Sequence, residues 1–130
     1  MVVRQLTADR ADQVFAALAD PTRRDILRRT SVQEHSVSAL AQHYSTSFAA
    51  VQKHVAVLHR AELVTKRRAG REQLVHADVR TIREAREELE AFEALWVARL
   101  DRFGDVLADL TGADTGPADT KPATTPREKS

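Results

Sequence analysis

The spacing of apolar residues is helical along most of the chain. Before Leu63 the apolar positions recur at steps of three and four and predict four short helices. Four residues precede these helices with side-chain oxygens suited to cap the first free N–H groups, and they are Thr7, Asp20, Ser36 and Ser47. Pro21 follows Asp20 at the first helical position, where its missing N–H costs little. The third and fourth helices, separated by a few polar residues, form a predicted helix-turn-helix.

Within the fourth predicted helix, residues 47–60, Val51, Val55 and Leu58 fall on one stripe. The opposite surface comprises Ala49, Lys53 and Ala56, with Gln52 and His54 on its flanks. Small side chains at the start of a helix let it enter a DNA major groove, because bulk there would hold the helix away from the base edges. The pattern therefore favours a DNA-reading helix.

After Leu63 the pattern changes to that of a two-stranded β-hairpin, residues 64–76, with Gly70 at its tip. The predicted hairpin carries the cations Lys66, Arg67, Arg68 and Arg71. We expect them to reach phosphates or the minor groove and to add salt-dependent affinity with little base discrimination. The alternative is an edge hairpin that its charges protect from aggregation. A basic hairpin directly after a helix-turn-helix predicts a winged helix.

From Asp78 the helical period continues to Leu110. This apolar stripe is longer than a small winged helix can cover, so it predicts a homodimer seam, with a helix folded back on its own domain as the alternative. The predicted interface residues are Val14, Leu89, Phe92, Trp96, Leu100, Phe103 and Leu107. A bend near Glu87 and Glu88 would split the segment into two helices.

The predicted fold is therefore mainly α: a winged helix-turn-helix over residues 1–110, with a two-stranded β-hairpin wing and a long C-terminal dimerisation helix or helix pair. Residues 111–130 are rich in Thr, Pro, Ala and Asp and predict a disordered tail, because they cannot offset their ordering entropy by burial.

The net charge of +1 conceals an asymmetry. Residues 23–80 hold eleven Lys and Arg against five acids, and residues 81–110 hold four against eight. Such a division is expected when one face meets a polyanion.

The composition also excludes several classes of function. The absence of cysteine excludes disulfides, thiolate metal sites and a cysteine nucleophile. No apolar run approaches the length of a membrane span and no secretory signal precedes the first helix, so we expect a cytoplasmic protein without a membrane partner. A nucleophile elbow and a phosphate loop are both missing, which argues against an enzyme.

The residues resemble the ArsR-type winged-helix repressors of bacteria. The resemblance covers residues 10–110. It rests on the corner Ala16–Leu27, on Val37–Ala41, on Ser47–Leu58 and on the wing with Gly70 and Arg71. It implies a homodimer that binds double-stranded DNA at an inverted-repeat operator and represses transcription, including from its own promoter.

The resemblance also implies which residues of the helix-turn-helix face DNA. They are Ser47, Ala49, Gln52, Lys53 and His54. We also predict that Ser45, in the turn before this helix, contacts DNA. His54 either contacts the DNA backbone or buttresses the helix. Two positions depart from the family: Phe48 replaces a usually polar residue, often glutamine, and Gln52 replaces a usual serine. Base preference should differ accordingly.

Many members of this family release DNA when they bind metal. Here Ser36 and Ser38 stand where thiol-using members have cysteines, and no histidine follows His76 to supply the site across the last helices. We therefore predict no cofactor and no metal. The alternatives are a non-standard site built from His35, His43, His54, His59 and His76, and a winged-helix protein–protein interaction module.

Overall fold

The structure is a computed structural model that describes residues 6–112. The elements are α1 (Ala8–Leu18), α2 (Pro21–Val32), β1 (His35–Ser36), α3 (Val37–Ala41), α4 (Phe48–Arg60), β2 (Val64–Ala69), β3 (Glu72–Ala77) and α5 (Val79–Thr111). The chain divides into two compact units after Glu90, within α5. The predicted mainly α winged helix-turn-helix is confirmed. The predicted tail beyond residue 112 lies outside the described residues.

All four predicted N-caps are confirmed. Asp20 Oδ2 accepts from the Arg23 N–H at 2.9 Å, and Ser47 Oγ accepts from the Ala50 N–H at 3.1 Å. Thr7 and Ser36 accept in the same way from the N–H three residues later. Local side-chain chemistry therefore sets the starts of α1 to α4.

The wing belongs to a three-stranded antiparallel sheet with the order β1-β3-β2. The expected hairpin is present, but the third strand was not predicted from the sequence. It consists of His35 and Ser36, which pair with Val75 and Leu74 of β3. Two residues are too few to show an alternating pattern, so only the pairing partner defines this strand.

The core of the first unit lies where the first four helices meet the sheet. Its fully buried side chains include Ile26, Leu40, Leu58 and Leu63. Val14 is also in this core, with 0% of its surface exposed. The prediction of Val14 as a dimer-interface residue is therefore wrong, because α1 uses this side chain to pack against its own domain.

Helix α5 is continuous through Glu87 and Glu88, so this segment is one helix and not the alternative pair of helices. Near its start, Thr81 and Ala85 are buried. The apolar side chains from Leu89 onward are 46 to 77% exposed, and they are Leu89, Phe92, Leu95, Trp96, Val97, Leu100, Phe103, Val106, Leu107 and Leu110. An exposed apolar stripe of this length is typical of an interaction surface.

The turn between α3 and α4 is tied to α2 by a hydrogen-bonded carboxylate. Tyr44 Oη donates to Asp25 Oδ2 at 2.6 Å, and Arg29 Nε donates to the same oxygen at 2.8 Å. The bond from Tyr44, followed by that from Arg29, lowers the pKa of Asp25 below its ordinary value. Burial, helped by the bond to Asp25, raises the pKa of Tyr44 to about 12. An ionised carboxylate on α2 thus holds the turn that precedes α4.

Replacing Tyr44 with Phe keeps the ring and removes this hydrogen bond. We expect the free energy of unfolding at pH 7 to fall by about 1 kcal/mol. Because the pKa of Asp25 is lower in the folded state, ionised Asp25 stabilises the fold at any pH above its unfolded pKa of 3.8. This stabilisation is lost as the pH falls through the pKa of Asp25 in the folded state. The difference between wild type and Tyr44→Phe in urea unfolding should therefore narrow below about pH 4. Equal differences at pH 7 and pH 3 would contradict this account.

Candidate nucleic-acid interface

Helix α4 turns one face to the core and the other outward. Val51, Val55 and Leu58 are buried, as the stripe predicts. The predicted DNA-facing residues other than His54 are exposed, and they are Ser45, Ser47, Ala49, Gln52 and Lys53. The structure therefore leaves this side of the helix-turn-helix accessible to a partner.

His54 is held against the N-terminus of α2. Its Nδ1 lies 3.3 Å from Arg23 Nη1 and 3.9 Å from Asp20 Oδ2. A guanidinium N–H only donates, so Nδ1 is the acceptor in the contact with Arg23. The backbone N–H of Arg23 donates to Asp20, and this hydrogen bond is the main cause that lowers the pKa of Asp20. Of the two roles considered for His54, this geometry favours the buttress.

Arg23 connects three elements, and sequence reasoning did not single it out. Its guanidinium donates to the carbonyl oxygens of Ala17 at 2.8 Å and Ala16 at 3.1 Å, at the end of α1, while it contacts His54 of α4. Through these bonds one side chain links the α1–α2 corner to the outward-facing helix. The only sequence signal is an arginine three residues after the cap Asp20.

The wing turns at Gly70, between the paired residues Ala69 and Glu72. Gly70 has a φ of +65°, in the left-handed region that favours glycine. This tight turn places Arg71 at the tip, where it is exposed.

The four predicted cations of the wing are not equivalent. Side chains alternate along β2, so Lys66 and Arg68 lie on one face and Arg67 on the other. Arg67 donates from Nε and Nη2 to both carboxylate oxygens of Glu34, at 2.9 and 2.8 Å. This hydrogen bond raises the pKa of Arg67 and lowers that of Glu34. Arg67 therefore already has an ion-pair partner in the single chain, and we expect it to contribute less to DNA binding than Arg68 and Arg71.

Arg68 and Arg71 line a cleft of about 310 Å³ between α4 and the wing. From α4 the cleft receives Gln52 and also Phe48, which sequence reasoning had noted only as a departure from its family. The remaining lining residues are Ser36, Val37, Ser38, Glu72 and Gln73. The structure thus brings two wing arginines beside the predicted base-reading glutamine.

Between residues 6 and 112, no three His, Asp or Glu side chains gather in a way that would hold a metal ion. No helix in this part of the chain is both long and apolar enough to span a membrane.

Comparison with known proteins connects this geometry to a class of regulators. A helix-turn-helix domain model matches residues 18–67. The HTH-type transcriptional regulator Rv2034 of Mycobacterium tuberculosis is 34% identical over 104 residues, which cover 80% of this chain and 94% of the relative.

Solved structures show the same fold. An ArsR-like transcriptional regulator from Rhodococcus sp. RHA1 is 32% identical with a TM-score of 0.68, over 75% of this chain and 92% of that one. The homodimeric winged helix-turn-helix DNA-binding domain of Mb0332 from Mycobacterium bovis, a possible ArsR-family regulator, is 26% identical with a TM-score of 0.54. That match covers 67% of this chain and 82% of the other.

The division of the wing cations can be tested by the salt dependence of binding. Each phosphate contact contributes about 0.9 to the slope of log affinity against log salt. Arg68→Ala with Arg71→Ala should therefore flatten the slope by about two per protomer, whereas Arg67→Ala, the matched control, should leave it nearly unchanged. The measurement is fluorescence anisotropy on one random-sequence duplex at several salt concentrations. Equal slopes for the double variant and wild type would show that this side of the wing does not contact DNA phosphates.

Proposed function

The chain belongs to the ArsR-type family of winged helix-turn-helix transcriptional regulators, and we propose that it is a homodimeric repressor that binds an inverted-repeat operator. This family comprises DNA-binding regulators and is not an enzyme class. Double-stranded DNA is the partner that a helix-turn-helix domain implies.

The observation that carries the proposal is that Gln52 of α4 and the wing arginines Arg68 and Arg71 line one cleft. Gln52 and Lys53 are exposed on α4, and Arg68 and Arg71 stand beside Gln52. Phosphate contacts from arginines fix the position of a protein on DNA, and amide side chains read base edges in the major groove. The cleft offers both kinds of contact within one domain.

The homodimer is supported by the exposed stripe of α5. Leu89, Phe92, Trp96, Leu100, Phe103 and Leu107 are each at least 46% exposed in the single chain. A second copy would bury this stripe, and the Mb0332 domain is described as homodimeric. A two-fold axis relates two copies of α4, so the matching DNA site is an inverted repeat with half-sites about one helical turn, 34–36 Å, apart.

Repression follows if the dimer occupies a promoter and excludes the polymerase, and the protein's own promoter is one proposed target. A regulator of this class acts on DNA, so we place it in the cytoplasm. The competing proposal is a winged-helix module that binds proteins. Arg68, Arg71 and Lys53 on the exposed surface favour DNA as the partner, because exposed cations attract the phosphates of a polyanion.

Selection from random duplex DNA tests the function directly. The full chain should enrich an inverted repeat, and Gln52→Ala should relax base preference at one position in each half-site, since an amide–adenine pair is worth about 1–3 kcal/mol of discrimination. Lys53→Ala, at the neighbouring position, is the matched control. If Lys53 contacts phosphate, this variant keeps the motif but binds every sequence more weakly.

Two outcomes of this selection would count against the proposal. Failure to enrich any motif would favour the protein-binding module. An unchanged motif with Gln52→Ala would place base reading elsewhere, between Ser45 and Ala49 or in the wing.

The dimer seam can be tested by placing charge in it. Trp96→Glu or Leu100→Glu would bury an unpaired carboxylate in a dimer, which costs several kcal/mol. Sedimentation should report a monomer with wild-type circular dichroism, because both side chains are about half exposed in one chain. Ala98→Glu, on the opposite side of α5, is the control and should remain dimeric. Dimers that persist with both seam variants would rule this stripe out as the interface.

A further inference from the structure

Phe48 is an exposed aromatic side chain in the first turn of α4. It is 46% exposed and stands apart from the hydrophobic core cluster. It lines the cleft together with Gln52, one helical turn further along α4, and with Arg68 and Arg71 of the wing. A ring left partly in water gains free energy when an apolar partner covers it. An apolar group on a partner that enters this polar cleft would cover the ring.

We propose that Phe48 is a specificity-determining residue that packs against the 5-methyl group of a thymine in the operator. This inference rests on the proposed function, since it requires α4 to lie in the major groove. It replaces the expectation that only small side chains at the start of α4 face the bases. The thymine methyl is the apolar group on the major-groove edge of the base pairs, and phenylalanine is one of the side chains suited to contact it.

The position of Gln52 supports this assignment. Side chains four residues apart on a helix are neighbours, so Phe48 and Gln52 reach the same or adjacent base pairs. A glutamine amide pairs with N6 and N7 of adenine, and an A·T pair presents those atoms together with the thymine methyl. The two residues therefore form one reader of A·T pairs.

The wing arginines supply the positive charges of the cleft. Phe48 cannot bond to a phosphate, whereas Arg68 and Arg71 can. The arginines position the DNA backbone, and Phe48 with Gln52 distinguishes the bases.

Replacing thymine with deoxyuridine in the selected operator removes the methyl group and leaves the pairing atoms unchanged. We expect one thymine in each half-site at which this replacement weakens binding of the wild-type full chain about fourfold, the factor for one buried methyl-sized group. For Phe48→Ala the same replacement should have no effect, because the methyl has already lost its contact. Val32→Ala is the matched control: Val32 is an 82% exposed apolar residue outside the cleft, so this variant should keep the wild-type sensitivity.

The outcomes distinguish a failure of the proposed role of Phe48 from a failure of sequence-specific DNA binding. If uracil has no effect at any thymine for the wild type, or if Phe48→Ala retains the full sensitivity, the role of Phe48 is overturned while operator binding stands. If wild type binds selected and random duplexes equally, sequence-specific binding itself fails. Circular dichroism of each variant confirms that the comparison is between folded proteins.

Discussion

The burial of Val51, Val55 and Leu58 is the constraint on which the proposed interface depends. These three side chains commit one face of α4 to the core, and the helical period then leaves no freedom over which residues point outward. A rotation of the helix that exposed Gln52 less would bring valine and leucine into water, at a cost of about 1.5–3 kcal/mol for each side chain. The apolar core thus determines the orientation of the polar surface.

Polar contacts add what burial alone does not supply, since apolar packing is non-directional. Asp25 fixes the turn before α4 through Tyr44, and Arg23 joins the α1–α2 corner to His54 of α4. Both anchors come from α2. This helix carries no predicted DNA contact, yet its side chains locate the helix that does.

The wing shows how strand geometry divides like charges between different tasks. Alternation along β2 sends Arg67 toward Glu34 and Arg68 toward the cleft beside α4. The Arg67 ion pair links the wing to Glu34, directly before β1. Strand β1 in turn joins the sheet by pairing with β3. One arginine therefore pairs with a residue outside the wing, while its neighbour is left available for a phosphate.

The sequence by itself determined the first four helices, their caps, the hairpin and the outward face of α4, because each depends on contacts within a few residues or on a single period. It could not assign Val14, because an apolar residue on a helix fits a core and a dimer seam equally well, and only the packing of α1 decides. Nor could it separate Arg67 from Arg68, because the partner that distinguishes them, Glu34, lies far away in the chain. The same reason applies to the third strand, to the placement of His54 and to the cleft that brings Phe48 beside the wing arginines. Each is a relation between segments distant in sequence, and only the tertiary structure brings such segments together.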